Sequence, residues 1–276
     1  MFDVTHWSPL MQLGDEELRA ARLSLHWATQ LVAAAGSALG ETASDFSHTT
    51  LVIDDDKPFR WRGGPLSGRS PVGLDFDRLA LHVADPDERY ELIGRTLDEG
   101  LSWLGSRLGV SLRLLEHDLP SHEVGKGAPF PSGDPRARRT LDAYFRNAHR
   151  ALAALSAHDS RWSPPRMWPH HFDLAALLTF DGAEGQRRSV GVGLSPGDDA
   201  YATPYLYVSP WPYPPESTEL PPLQKGHWHR DGFTAAILTT PDLAGPHGAE
   251  ITTKYMREAL PAAASLAGRP DSIRIG

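Results

Sequence analysis

Four helical patterns can be read from their apolar spacing and capping residues, and the strand candidates lie in the intervals between them. The first pattern follows Asp15, whose carboxylate can accept from free N–H groups of the opening turn. It carries Leu18, Ala21, Leu25, Ala28, Val32, Ala35 and Leu39 at three- and four-residue spacing before Gly40 stops it. The second is expected to open at Asp85-Pro86, where a proline loses nothing by lacking an N–H. It runs through Tyr90, Ile93, Leu97, Leu101, Leu104 and Leu108 to Gly109. The third opens at Asp134-Pro135 and buries Leu141, Phe145, Ala148, Leu152 and Leu155. The last covers roughly 250–267 with Tyr255, Leu260, Ala263 and Leu266.

Between them lie the strand candidates 49–53, 72–83, 110–116, 172–180, 189–194, 205–208 and 233–239, with a short end piece at 272–275. Asp54-Asp55-Asp56 reads as an exposed hairpin turn, since it lacks the glycine and distal glutamate of a calcium loop. The order is helix, three strands, helix, strand, and then nearly the same again. It predicts an α+β fold of two similar halves, 1–130 and 131–276, each a mainly antiparallel sheet with helices packed on one face, together forming one compact domain. A duplicated unit accounts for this order, and so does chance, because few element orders exist. The second half carries an insertion near 210–231, longer than ordinary connections and so a natural seat for function.

Composition removes several function classes. Lys plus Arg is 27 against 35 Asp plus Glu, a net charge of −8, which argues against nucleic acid as a partner. Cysteine is absent, so disulfides, thiolate metal sites and thiol nucleophiles are excluded, and any metal must be held by His, Asp, Glu or carbonyl oxygen. No apolar run is long enough to span a bilayer, and the first residues lack a basic start with an apolar core. No membrane association, no signal peptide and a cytoplasmic location are therefore expected.

Two polar clusters carry the candidate chemistry. In Gly226-His227-Trp228-His229-Arg230-Asp231-Gly232, alternate side chains of an extended segment would face the same way. His227 and His229 would then stand about 6.5–7 Å apart at Cα, close enough to meet on one divalent metal, Zn or Fe. Asp231 reaches that ion only if the chain turns at Gly232, so His171, Asp173 or His48 is the natural source of a further ligand. The second cluster is His170-His171-Phe172-Asp173; its adjacent histidines face opposite ways on a strand, so one of them can serve. Without a metal, a histidine such as His171 or His229 near Asp173 or Asp231 suits general acid–base work. The plainer reading is that these histidines cap carbonyls or stack on aromatic rings.

Tyr205, Tyr207, Trp211 and Tyr213 are interleaved with prolines, as in Pro210-Trp211-Pro212-Tyr213-Pro214-Pro215. This stretch reads as an aromatic wall over a ligand, as a polyproline segment for a partner, or as a stiff loop packed on its own sheet. Gly193-Leu194-Ser195-Pro196-Gly197 fits the elbow of serine hydrolases only in letters, because Pro196 has no N–H to serve as oxyanion donor. His229-Arg230-Asp231 matches a kinase triplet without the rest of the kinase set.

Four stretches carry a resemblance: residues 25–32 (Leu25-His26-Trp27-Ala28-Thr29-Gln30-Leu31-Val32), His48-Thr49-Thr50-Leu51, Phe172-Asp173-Leu174-Ala175 and the Tyr/Pro-rich 205–215. With them the chain resembles an uncharacterised bacterial domain-of-unknown-function family over most of its length. The resemblance implies no activity or cofactor. Relatives in that pattern carry a Trp-Gly-Ser type run where Trp168-Pro169-His170-His171 stands here, and they lack His227-Trp228-His229. It therefore implies that the histidine clusters mark a subgroup, and that Trp27, Thr29, Gln30 and His48 line a common pocket.

The functional expectation is an enzyme acting on a small molecule in a His/Asp pocket between the halves. His171, Asp173 and His229 would be catalytic, His227, His229 and His171 would be metal ligands, and Trp27, Gln30, His48, Tyr207 and Trp211 would contact ligand. The alternative from another class is a non-catalytic protein that binds a small molecule or partner through the aromatic stretch; a purely structural role is a third.

Overall fold

Helix α1 (Asp15–Leu39) opens where the Glu17 carboxylate accepts from the Gly14 N–H at 2.9 Å, and ends where Gly40 N donates to the carbonyl of Gly36. The structure is a computed structural model that describes residues 7–54, 57–84, 87–182 and 186–269. It divides into two units. Unit 2 comprises Leu13–Asp142 with Arg166–Asp173; unit 1 comprises Met1–Gln12, Ala143–Pro165 and Leu174–Gly276. Helix α3 (Pro135–His158) starts in unit 2 and continues into unit 1.

Unit 2 is a six-stranded antiparallel sheet. Its strands are β1 (Leu51–Ile53), β2 (Arg60–Gly63), β3 (Val72–Asp75), β4 (Ala80–Val83), β5 (Glu88–Glu91) and β6 (Arg166–Trp168), in the order β6-β1-β2-β3-β4-β5. The register aligns Trp61, Leu74, Leu81 and Tyr90 across the sheet, and the first three are fully buried. Helix α1 lies against β2, β3, α2 (Leu97–Leu108) and two short 3-10 turns, η1 (Ser47–Thr49) and η2 (Glu123–Lys126). Contact on so many sides explains why its burial is wider than the apolar stripe: Arg22, Ser24, His26, Thr29 and Gln30 are buried as well.

Unit 1 holds a five-stranded antiparallel sheet of β7 (Asp173–Asp181), β8 (Arg187–Ser195), β9 (Tyr205–Trp211), β10 (His227–His229) and β11 (Ala235–Thr239), in the order β10-β11-β9-β8-β7. Alternation gives the sheet two unlike faces. One carries Val190, Val192, Leu194, Leu206, Val208, Ala236 and Leu238, all buried. Against this layer lie α3 and α4 (Thr240–Leu243), whose Tyr144, Ala148 and Leu243 surround an apolar gap with Leu194 and Leu206. Helix α5 (Gly248–Leu266) packs on β8, β9 and β11, and its buried Tyr255 hydroxyl donates to the carbonyl of Ala236 at 2.6 Å. The other face carries Tyr205, Tyr207, Ser209, Trp211, Gly191, Gly193, His227 and His229.

The α+β class and the antiparallel pairing are as expected, and α1, α3 and α5 fall where their periodicity puts them. Three expectations need correction. The helix read through Tyr90 is a strand, β5, with Tyr90 paired to Leu81; Asp85 and Pro86 lie outside the described residues. Helix α2 starts instead after Thr96, which accepts from Glu99 N at 3.2 Å while the Glu99 carboxylate accepts from Thr96 N at 2.8 Å, a reciprocal cap. The run 72–83 is two strands, because the chain reverses at Phe76–Leu79, with Leu79 left-handed at φ 52° and Arg78 N donating to the Asp75 carboxylate. Residues 110–116 form no strand. The end piece 272–275 and Asp55-Asp56 lie outside the described residues, while Asp54 and Lys57 do close a turn joining β1 to β2. Among the described residues, no helix is long and apolar enough to cross a membrane.

Candidate functional site

Strand β10 exists because glycine lets the chain enter it. At Gly226 (φ 77°) a Cβ would lie 2.2 Å from the carbonyl oxygen of Ile237. Beyond that point His227, Trp228 and His229 pair with Ile237, Ala236 and Ala235. Trp228 points to the opposite side from its neighbours and donates its indole N–H to the Pro221 carbonyl at 2.8 Å. Arg230 donates to the carbonyls of Glu216 and Thr218. The proline-rich insertion is thus packed on its own sheet, and the aromatic stretch 205–211 is itself the strand β9.

The two imidazoles of β10 reach one atom. The Tyr201 hydroxyl lies 2.9 Å from His227 Nε2 and 3.1 Å from His229 Nδ1. Proton positions follow from a third contact: His229 Nε2 stands 2.7 Å from the carbonyl oxygen of Asp231, which can only accept. Nε2 of His229 therefore carries the hydrogen, and Nδ1 of the neutral ring accepts from the Tyr201 hydroxyl. Having donated its one proton, Tyr201 accepts from His227 Nε2–H. The donors run in one direction, from His227 through Tyr201 and His229 to the Asp231 backbone. This leaves the lone pair of His227 on Nδ1 of an exposed ring.

Tyr201 is itself fixed. One oxygen of the Asp198 carboxylate accepts from the N–H groups of Ala200 and Tyr201, each at 2.9 Å, and the other accepts from the Tyr205 hydroxyl at 2.5 Å. Burial, then the Asp198 charge, pushes the Tyr201 hydroxyl above its ordinary pKa and keeps it a donor. The rings of Tyr205 and Phe233 back the pair, 4.8 Å from Tyr201 and 4.4 Å from His229.

Unit 2 holds the second polar cluster. Trp168 to Phe172 forms a single turn: His171 N and Phe172 N both donate to the Trp168 carbonyl, and Phe172 is left-handed at φ 53°. His170 sits between two other imidazoles, its ring tilted against both, 4.2 Å from His171 of the same turn and 5.3 Å from His117. Phe172 stacks on His26 of α1 at 5.3 Å. Gln30, one helical turn along from His26, donates to the Pro169 carbonyl at 2.7 Å. Burial, with Arg22 and His171 adding to it, drives His26 down to about 4 against the pull of the Pro169 and His170 carbonyls. Burial followed by His171 and His117 takes His170 to about 4.

The residues singled out from sequence thus fall into distinct settings. His227 and His229 meet at Tyr201. His171 and Asp173 belong to unit 2, with His171 packed on His170 and Asp173 opening β7. Trp27 donates to the Pro120 carbonyl at 3.1 Å and packs over Gly125, and His48 Nδ1 accepts from Ala43 N at 3.2 Å, so both fasten loops. Tyr207 leans across Gly193, while Trp211 is exposed and meets Tyr213 edge to face. Among the described residues no group of three or more His, Asp or Glu side chains is placed to hold a metal ion. Sequence reasoning passed over Tyr201 and Asp198. The available hint was Pro196-Gly197-Asp198-Asp199, a turn of the kind in which an aspartate caps the amides two and three residues on. Compared with protein-family models, with curated proteins and with solved structures, the chain matches none.

Proposed function

We propose that the protein is an enzyme acting on a small polar molecule at the face of the unit 1 sheet that carries Tyr205, Tyr207 and the β10 histidines, with Tyr201, His227 and His229 as its reacting centre. The observation that carries this reading is the shared contact of one phenol oxygen with two imidazole nitrogens from alternate positions of one strand. In that arrangement His227 Nδ1 is the proton acceptor. As it takes up a proton, His227 can give its Nε2 proton to the Tyr201 oxygen while Tyr201 gives its own to His229 Nδ1, so the positive charge moves inward to the His229 imidazolium. Asp198 is a positioning residue through its hold on the Tyr201 backbone. Binding without catalysis is the second reading, favoured by exposed Trp211, Tyr213 and Leu177, of which Trp211 and Leu177 lie on strands of the same sheet.

The test is a turnover screen on pooled metabolites followed by mass spectrometry, with imidazole resonances of the purified protein monitored in parallel. A reacting compound should shift the His227 and His229 signals, and its conversion should fall at least a hundredfold in His227→Ala and Tyr201→Phe. Turnover that survives both substitutions would remove the catalytic reading. Ligand shifts without conversion would leave the binding one.

The like order of elements, α1 with β1–β5 and α2 against α3 with β7–β11 and α5, is the ground for also reading the units as copies of one plan. Superposing the Cα atoms of one set on the other tests it, and a failure to align the first three strands of each would remove that reading.

A further inference from the structure

We infer that Tyr201, His227 and His229 together form a binding site for a divalent transition-metal ion, with the tyrosine as phenolate ligand. This rests on the reading that the same three residues are the working centre. A trio built only from His, Asp or Glu is absent here among the described residues; the third donor is a phenol oxygen.

Two of the three ligand separations suit a shared ion. With bonds of about 2.0–2.1 Å, adjacent ligands on one metal stand about 2.9 Å apart in an octahedron and about 3.3 Å apart in a tetrahedron. Tyr201 Oη stands 2.9 Å from one imidazole nitrogen and 3.1 Å from the other. The nitrogens are of different kinds, Nε2 of His227 and Nδ1 of His229, each being the one its ring turns toward the phenol. The outer contacts also suit a metal. His229 Nε2 donates to the Asp231 carbonyl, the kind of contact that fixes a ligating imidazole in one tautomer and orientation. The Asp198 carboxylate already accepts from two amides and the Tyr205 hydroxyl, so it stays outside as a counter-charge.

Two neutral imidazoles and one oxyanion favour a borderline ion, Zn2+ or Cu2+, over Mg2+ or Ca2+. Exposure of His227 leaves the ion a side open to water or to a small molecule. Loading is an exchange of charges. The His227 proton shifts from Nε2 to Nδ1 and is conserved, while the Tyr201 hydroxyl proton leaves to solvent. One proton is therefore released for each ion bound at about pH 8, where imidazoles are neutral and free phenols are not ionised.

The experiment titrates Zn2+ and, separately, Cu2+ into untagged full-length protein stripped with chelator, following affinity by chromophore competition and proton release by pH-stat. Wild type should bind one Zn2+ with release of one proton, and its Cu2+ form should show a tyrosinate-to-metal absorption band. His227→Gln, a change at an exposed position, and Tyr201→Phe should each bind roughly 100-fold more weakly, and Tyr201→Phe should lack the band. Circular dichroism confirms that both variants are folded. Unchanged affinity in the variants, binding without proton release, or no binding by wild type overturns the metal site. If no ion binds while His227 still governs turnover, the metal falls and the acid–base centre stands.

Discussion

At position 36 a methyl group would sit 2.3 Å from the carbonyl oxygen of His48 and 3.1 Å from the Cα of Thr49. Both are backbone atoms, so neither can swing aside, and α1 approaches η1 this closely only because residue 36 is glycine. Gly36→Ala should cost about 2 kcal/mol of unfolding free energy, in the range of overpacked cores. Urea denaturation checks it, and an unchanged midpoint would show that the helix can lift away freely. The pair His227 and His229 was legible at this scale, since two imidazoles at alternate positions need only an extended backbone to share a face. Tyr201 was not. Its role depends on the turn at Asp198 bringing a hydroxyl from the far side of β9 to β10, and no local spacing encodes that.

Among elements, α2 shows how a helix pattern can mislead. Tyr90, Ile93 and Leu97 keep helical spacing, but Gly94 takes φ 77° and Ile93 is 39% exposed, so the periodicity crosses a break in the chain. Thr96 and Glu99 mark the true start. Thr96→Ala removes the hydroxyl that caps Glu99 N and should lower stability by about 1 kcal/mol, read from a thermal melt. An equal loss in Asp98→Ala, which has no part in the cap, would argue against the assignment. Helices α1, α3 and α5 were legible because each is long enough for its stripe to outweigh local accidents. The hairpin of β3 and β4 was hidden because its turn, Phe76-Asp77-Arg78-Leu79, contains no glycine, asparagine or proline. Leu79 enters the left-handed region, and Arg138 of α3 secures the turn by donating to the carbonyls of Phe76 and Asp77.

For the whole molecule, two strongly depressed histidines make stability depend on pH on the acid side. His26 and His170 titrate near 4 when folded, against 6.5 for an ordinary imidazole. Between those values these two groups bind more protons in the unfolded chain than in the folded one, so the stability they contribute is fully present above about pH 6.5 and is lost as the pH drops toward 4. The loss is up to about 3 kcal/mol for His26 and smaller for the half-buried His170. Chemical denaturation at a series of pH values should show this limb, and His26→Gln should flatten it. A wild-type curve level from pH 7 to 4.5 would contradict the buried neutral state.

The path of the chain has a consequence for any attempt to divide it. Residues 143–165 belong to unit 1 and 166–173 to unit 2, before 174 onward returns to unit 1. A cut at 130 would deprive the leading fragment of β6 and of the opening turns of α3. A cut at 173 would strip the trailing fragment of the α3 residues that line its apolar layer. Neither piece inherits a complete set of partners, so limited proteolysis within α3 should yield nicked chains that stay associated or unravel together, never a stable autonomous half.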